Sequence, residues 1–180
     1  MAMVTSDAAI LAPLALAEVK AHLHITRDAD DAVLTGHLRS AAALCEQFIG
    51  QSVVQRPHRE ALPIAREWQR LGAQPVLAIT GVTGITADGD CFALASDAYA
   101  ITIDADGLGR VRVLRPGSAS RIEVQYTAGI AEHWGDLPEP LRQGIIRLAA
   151  HVHLARDGDG DAAPPASVSA LWRPWRVVRL

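Results

Sequence analysis

Apolar positions recur along this chain with two different periods. Near the N-terminus the period is helical: in "LALAEVKAHL", Leu16, Val19 and Leu23 share one face, which predicts a short helix. A longer helix is expected next, because Leu34, Leu38, Ala41, Cys45 and Phe48 step by 4, 3, 4 and 3 along one seam. Asp28 is its expected cap, with Asp31 three residues on, where acids suit the dipole. Gly50 is the expected stop. A third helical run carries Leu141, Ile145, Leu148, Val152 and Ala155 at the same steps. Pro138 suits its first position and Pro140 its first turn.

Between these runs the period falls to two. "SVVQRPHREAL" and "EWQRLG" are short and suit strands, and "PVLAITGVTGITADGD" is rich in Val, Ile and Thr around Gly81 and Gly84. "YAITIDADGLGRVRVL" predicts a hairpin. Ile101 and Ile103 flank Thr102, Val111 and Val113 flank Arg112, and "DADGLG" turns the chain. Ile122, Val124 and Tyr126 continue the alternation, as in a half-buried antiparallel meander.

The fold class that follows is α+β. Two long helices and a short N-terminal helix form a helical bundle, with an inserted antiparallel β-meander lobe and an extended C-terminal arm. The expected division is a helical segment over 1–52, a β lobe over 53–130, a C-terminal helix over 131–157 packing on the first helices, and a linker and arm over 158–180. All four belong to one structural domain.

Composition narrows the function. The 180 residues are 49% hydrophobic, enough for a core. A net charge of −3 argues against a general nucleic-acid coat without excluding a local basic patch. Cys45 and Cys91 form no C-x-x-C, and Cys45 lies on the helix seam, so buried thiols are expected rather than a redox pair. "AAILAPLALA" resembles a signal-peptide core but follows Asp7 and no basic residue, and it is too short to span a bilayer. A soluble cytoplasmic protein is expected.

Candidate chemistry is sparse. His151 and His153 sit two apart on a helix, roughly 200° around the axis, so one metal cannot take both. His22 and His24 fail in the same way. "DGDGD" from Asp157 opens like a calcium loop, but Ala162 stands where glycine is needed and Val168 where glutamate is needed. No phosphate-binding loop, nucleophile elbow or complete dinucleotide fingerprint is present. No cofactor, no metal and no enzyme activity are expected.

The tail is the unusual part. "LWRPWRVVRL" sets Trp172 and Trp175 beside Arg173, Arg176 and Arg179, with no acid. Trp and Arg dominate binding hot spots. Three readings stand: the tail folds back on its own core, docks on a partner as an extended arm, or stacks on nucleic acid.

Two stretches carry a family resemblance. "LALAEVKAHLHITRDADDAVLTGHLRSAAALCEQFIGQSVV" and "VQYTAGIAEHWGDLPEPLRQGIIRLAAHVHLAR" resemble the head–tail connectors, or head-completion adaptors, of tailed phages, prophages and gene transfer agents. The cues are L-x-E-V-K-x-H-L, an acidic D-x-D-D start, a helix closing on F-I-G, a Y-T-A-G turn and P-E-P-L-R-Q-x-I before a long helix.

The resemblance implies a structural virion protein, made in the host bacterial cytoplasm and sited at the head–tail junction. It implies a cyclic ring of twelve copies under the portal protein, meeting a tail-completion protein on the other side and extending a channel through which DNA passes without specific binding. No membrane partner is implied. The composition of the tail, rather than the resemblance, leads to the expectation that an arm from about Ser167 to Leu180 docks on the portal or a neighbour, anchored by Trp172 and Trp175. The alternative is a DNA-binding packaging accessory, for which Arg110, Arg112, Arg115 and Arg121 near the hairpin are the candidate patch.

Overall fold

Two kinds of element segregate into two compact units in a computed structural model that describes residues 3–6, 13–155 and 165–177. One unit takes the strand Met3–Ser6 and Gln55–Ile130, and the other takes the remaining described residues. The alternating segments can close hydrogen bonds only with other strands, whereas the helical seams need each other.

The helical unit contains α1 (Pro13–Leu23), α2 (Asp31–Ile49), α3 (Glu139–Ala155) and α4 (Ala166–Trp172), with short 3-10 turns at Trp134–Asp136 and Arg173–Trp175. α3 packs on α1, α2 and α4. Leu34, Leu38, Ala41 and Cys45 of the seam are buried, but the last core position of α2 is Ile49, and Phe48 is half-buried beside it. In α3, Leu141, Ile145 and Leu148 are buried and Val152 is half-buried. Gly50 ends α2 in the left-handed region at φ 73°, its N–H donating to the Glu46 carbonyl at 2.8 Å.

The start of α2 differs from expectation. Asp30, not Asp28, precedes the helix, and it makes no side-chain cap. The Asp28 carboxylate is engaged elsewhere: Lys20 of α1 donates to Asp28 and to Asp31, each at 2.7 Å. Those hydrogen bonds raise the Lys20 ammonium pKa and lower the Asp28 carboxyl pKa.

Among the described residues the β unit carries eight strands: β1 (Met3–Ser6), β2 (Arg56–Pro63), β3 (Gln69–Arg70), β4 (Val76–Ile85), β5 (Cys91–Ala93), β6 (Tyr99–Ile103), β7 (Gly109–Val113) and β8 (Arg121–Ala128). Every pairing is antiparallel. One sheet has the order β1-β2-β8-β4-β5 and the other β3-β7-β6. Leu62, Leu71, Val76, Val82, Val111, Val113, Ile122, Val124 and Tyr126 form their shared core. β4 runs through Gly81 and Gly84 as one strand, with register shifts near its start. β1 lies inside the segment expected to be helical. It is too short for any period to register, and its pairing with β2 defines it.

The turn "DADGLG" is built by Asp104, whose Oδ1 accepts the N–H of Asp106 at 3.1 Å and of Leu108 at 2.8 Å. Gly107 sits there at φ 73°. The two thiols differ in environment. Burial pushes the Cys45 thiol pKa far up, with the neighbouring Glu46 charge adding to it, whereas Cys91 is exposed. In dilute native protein, Ellman's reagent should titrate one fast thiol per chain, and none in Cys91→Ser. Two fast thiols would contradict the packing of α2.

Candidate functional site

The C-terminal segment is the strongest site candidate in the sequence, and its geometry bears on the three readings. It is not an extended arm: it forms α4 and the 3-10 turn Arg173–Trp175. Trp172 is 1% exposed. Its indole lies against α3 where Gly144 leaves no side chain. A Cβ built on Gly144 would stand 2.1 Å from Trp172 Nε1. Phe48 flanks the same indole, ring centroids 5.9 Å apart, and Nε1–H points at the Leu141 carbonyl at 3.4 Å.

The chain beyond Trp172 is tied to the end of α2. Gln51 Nε2 donates to the Trp175 carbonyl at 2.7 Å, and the Val177 N–H donates to the Ile49 carbonyl at 2.8 Å. Arg176 lies over the Phe48 ring at 5.7 Å. α2 has no basic residue in its last turn, and an N–H from the tail meets its C-terminal Ile49 carbonyl.

Trp172 is therefore not available as a docking anchor in this conformation. The sequence could not show this, because the notch that takes the indole is a glycine 28 positions earlier. Trp175 is half-buried, and Arg173 and Arg176 are exposed. Arg179 and the "DGDGD" loop lie outside the described residues.

The four arginines near the hairpin do not form one free patch. Arg115 pairs with Asp97, and Arg110 Nη2 lies 3.5 Å from Asp104. Arg112 stacks over Trp68 at 4.5 Å, and Arg121 is exposed at the start of β8. The register instead sets Arg70 opposite Arg110 on the outer face of the three-stranded sheet, with Arg112 two residues along. Sequence reasoning missed Arg70, because nothing local joins it to β7.

Other chemistry is thin. Among the described residues no group of three or more His, Cys, Asp and Glu is gathered for a metal. The rings of His37 and His153 meet edge-on between α2 and α3, centroids 5.8 Å apart. An open groove of about 460 Å³ is lined by Pro13, Leu16, Ala17, Ala21 and Ile25, with the Lys20–Asp31 pair at its side. The ionic groups along it are already paired with each other. Among the described residues no helix is long and apolar enough to cross a membrane.

Known proteins resemble this chain over almost its whole length. A family model described as "Phage gp6-like head-tail connector protein" matches residues 14–74. A chain in the neck of an empty gene transfer agent particle, computed with C6 symmetry, is 29% identical with a TM-score of 0.79. That match covers 99% of this chain and 97% of that one. A chain of the native gene transfer agent virion is 30% identical over the same shares, with a TM-score of 0.78. One in the native particle's neck, computed with C12 symmetry, is also 30% identical over the same shares, with a TM-score of 0.76. No curated protein matches the chain.

Proposed function

From the chain's membership of the phage gp6-like head–tail connector family, we propose that it forms a ring at the head–tail junction, beneath the portal protein. The role is structural, that of a connector in virion assembly. The observation that carries it is the end-to-end match, 99% of this chain against 97% of the other, to chains from particle necks and a virion.

In this reading twelve copies close head to tail, because a heterologous contact repeated around an axis closes a ring. The ring extends the DNA channel and offers its far side to a tail-completion protein. A chain with net charge −3 holds passing DNA weakly, which suits a conduit. Among the described residues of the tail, exposed Arg173 and Arg176, with half-buried Trp175, remain to meet the portal or a neighbour. The rival reading, a DNA-binding packaging accessory, is weakened by the ion pairs of Arg110 and Arg115.

Native mass spectrometry tests the proposal, on the chain alone and mixed with the portal protein encoded beside its gene. A closed ring, alone or on the portal, is expected. A monomer that ignores the portal, together with a salt-dependent shift of duplex DNA, would replace the connector with the DNA-binding reading.

A further inference from the structure

β6, Tyr99–Ile103, is the outermost strand of its sheet, and among the described residues no strand pairs with its other edge. Which backbone groups point outward follows from the bonds at its two ends. Leu114 N–H donates to the Ala98 carbonyl at 2.8 Å, and Asp104 N–H donates to the Leu108 carbonyl at 3.3 Å. Groups alternate sides along an antiparallel strand, so Ala100 and Thr102 also face β7. Tyr99, Ile101 and Ile103 therefore turn their N–H and C=O groups to the free edge.

The same residues expose apolar side chains: Ile101 is 42% and Ile103 38% exposed. The strand contains no charge and no proline. Soluble proteins normally block such an edge with lysine, proline or a bulge. An open edge with alternating apolar side chains is a template for strand addition, where main-chain bonds bind and side chains select.

β5, Cys91–Ala93, is an edge of the other sheet, with β1 at the opposite edge. Thr86 N–H donates to the Asp90 carbonyl at 2.9 Å, so Asp90 and Phe92 face β4, while Cys91 and Ala93 face out. Cys91 and Ala93 are small and exposed, and exposed Asp88 and Asp90 precede them. A strand added to β6 lies two strand spacings, about 10 Å, from β7. That is within reach of Arg112, which projects from β7 opposite Ala100.

We infer that β6 of one copy pairs with β5 of the next, so that the two sheets join edge to edge around the ring. The inference rests on the connector reading for the presence of neighbouring copies, and it names the surfaces by which they meet. A β6–β6 contact would be two-fold and would close a pair. A β6–β5 contact is heterologous and can close a larger cycle.

The native Cys91 provides the test. Cysteine is placed singly at Tyr99, Ile101, Thr102 and Ile103 of the full chain, and ring formation is followed by native mass spectrometry. Copper–phenanthroline then oxidises any thiols that meet. Directly opposed residues across two strands lie within disulfide range. At least one of the four variants should give a covalent ladder of dimers, trimers and higher multimers, and adding Cys91→Ser should collapse the ladder to monomer.

No ladder from any position in a chain that forms rings overturns the inference and leaves the connector reading standing. Covalent dimers that persist in Cys91→Ser mean β6 pairs with β6, and overturn it as well. No ladder from a chain that stays monomeric up to about 1 mM, and on the portal, overturns both. The double variant Ile101→Lys, Ile103→Lys adds a check: with its melting temperature unchanged, it should lose the ring. A ring that persists in it speaks against the edge.

Discussion

Gly144→Ala should destabilise the helical unit and loosen its C-terminal segment, although alanine is the better helix former. In an ordinary helix interior the change stabilises by about 1 kcal/mol. Here the added Cβ would stand 2.1 Å from Trp172 Nε1, 2.8 Å from Cε2 and 2.9 Å from Cδ1, too close for any packed side chain. Trp172 must shift, and such overpacking costs roughly 1–3 kcal/mol. The clash should therefore outweigh the gain in propensity.

Trp172→Ala removes the indole altogether and should cost about 3–5 kcal/mol, the usual range for a buried aromatic. In the Trp172→Ala background Gly144→Ala should change sign and become neutral or stabilising, since nothing remains for the methyl to strike. Urea unfolding of the four proteins gives the cycle. Amide exchange at Val177, whose N–H bonds the Ile49 carbonyl, reports the tail separately from the core. A Gly144→Ala protein more stable than the native chain would mean that the tail does not sit in the notch. For the same reason, deleting residues 167–180 uncovers Gly144 and Phe48 and should cost core stability as well as any docking.

Glu60→Leu should be the most damaging change in the β unit. Glu60 is 2% exposed at the middle of β2. Its Oε2 accepts the Gly72 N–H at 2.7 Å and the Tyr126 hydroxyl at 2.9 Å. The Tyr126 oxygen in turn accepts the Ala73 N–H at 3.1 Å, and its ring stacks on His58 with centroids 5.5 Å apart. One carboxylate thus ties β2 to β8 and to the turn after β3. Leucine fills much of the space but removes the acceptor from one buried donor and one part-buried donor, and a buried donor costs about 1–3 kcal/mol when left unsatisfied. A loss of roughly 2–5 kcal/mol is expected in chemical unfolding. Glu60→Gln keeps an acceptor oxygen and should lose less. Tyr126→Phe should cost about 1–2 kcal/mol and should not add fully to Glu60→Gln, because both act on one bond. Full additivity would show that the hydroxyl and the carboxylate stabilise the unit separately.

These two sites also mark how far the sequence could be read. The steps through Leu34, Leu38 and Cys45, and through Leu141, Ile145 and Leu148, give two helices whose buried faces match the pattern, since one helix face is written locally at 3.6 residues per turn. Ile122, Val124 and Tyr126 alternate inward in β8 for the same kind of reason. β2 hides its face, because two of its three buried residues, His58 and Glu60, are polar. Only the Tyr126 hydroxyl and the Gly72 N–H, both distant in sequence, make that carboxylate tolerable inside. The tail misled in the opposite direction. Its tryptophans and arginines matched a docking arm, yet Trp172 is core.

The sequence alone determined the α+β class, the helix seams, the Gly50 stop, the β6–β7 hairpin and the kinship with head–tail connectors. Each is written in local periods, turn chemistry or motif order. The tertiary structure alone decided that the strands divide into two sheets, that β1 joins β2, and that Arg70 stands opposite Arg110. It also decided that Gly144 receives Trp172 and that β5 and β6 are left as open edges. Those outcomes depend on which distant segments meet. A single chain records them only as residues whose partners lie tens of positions away, where no local period reaches.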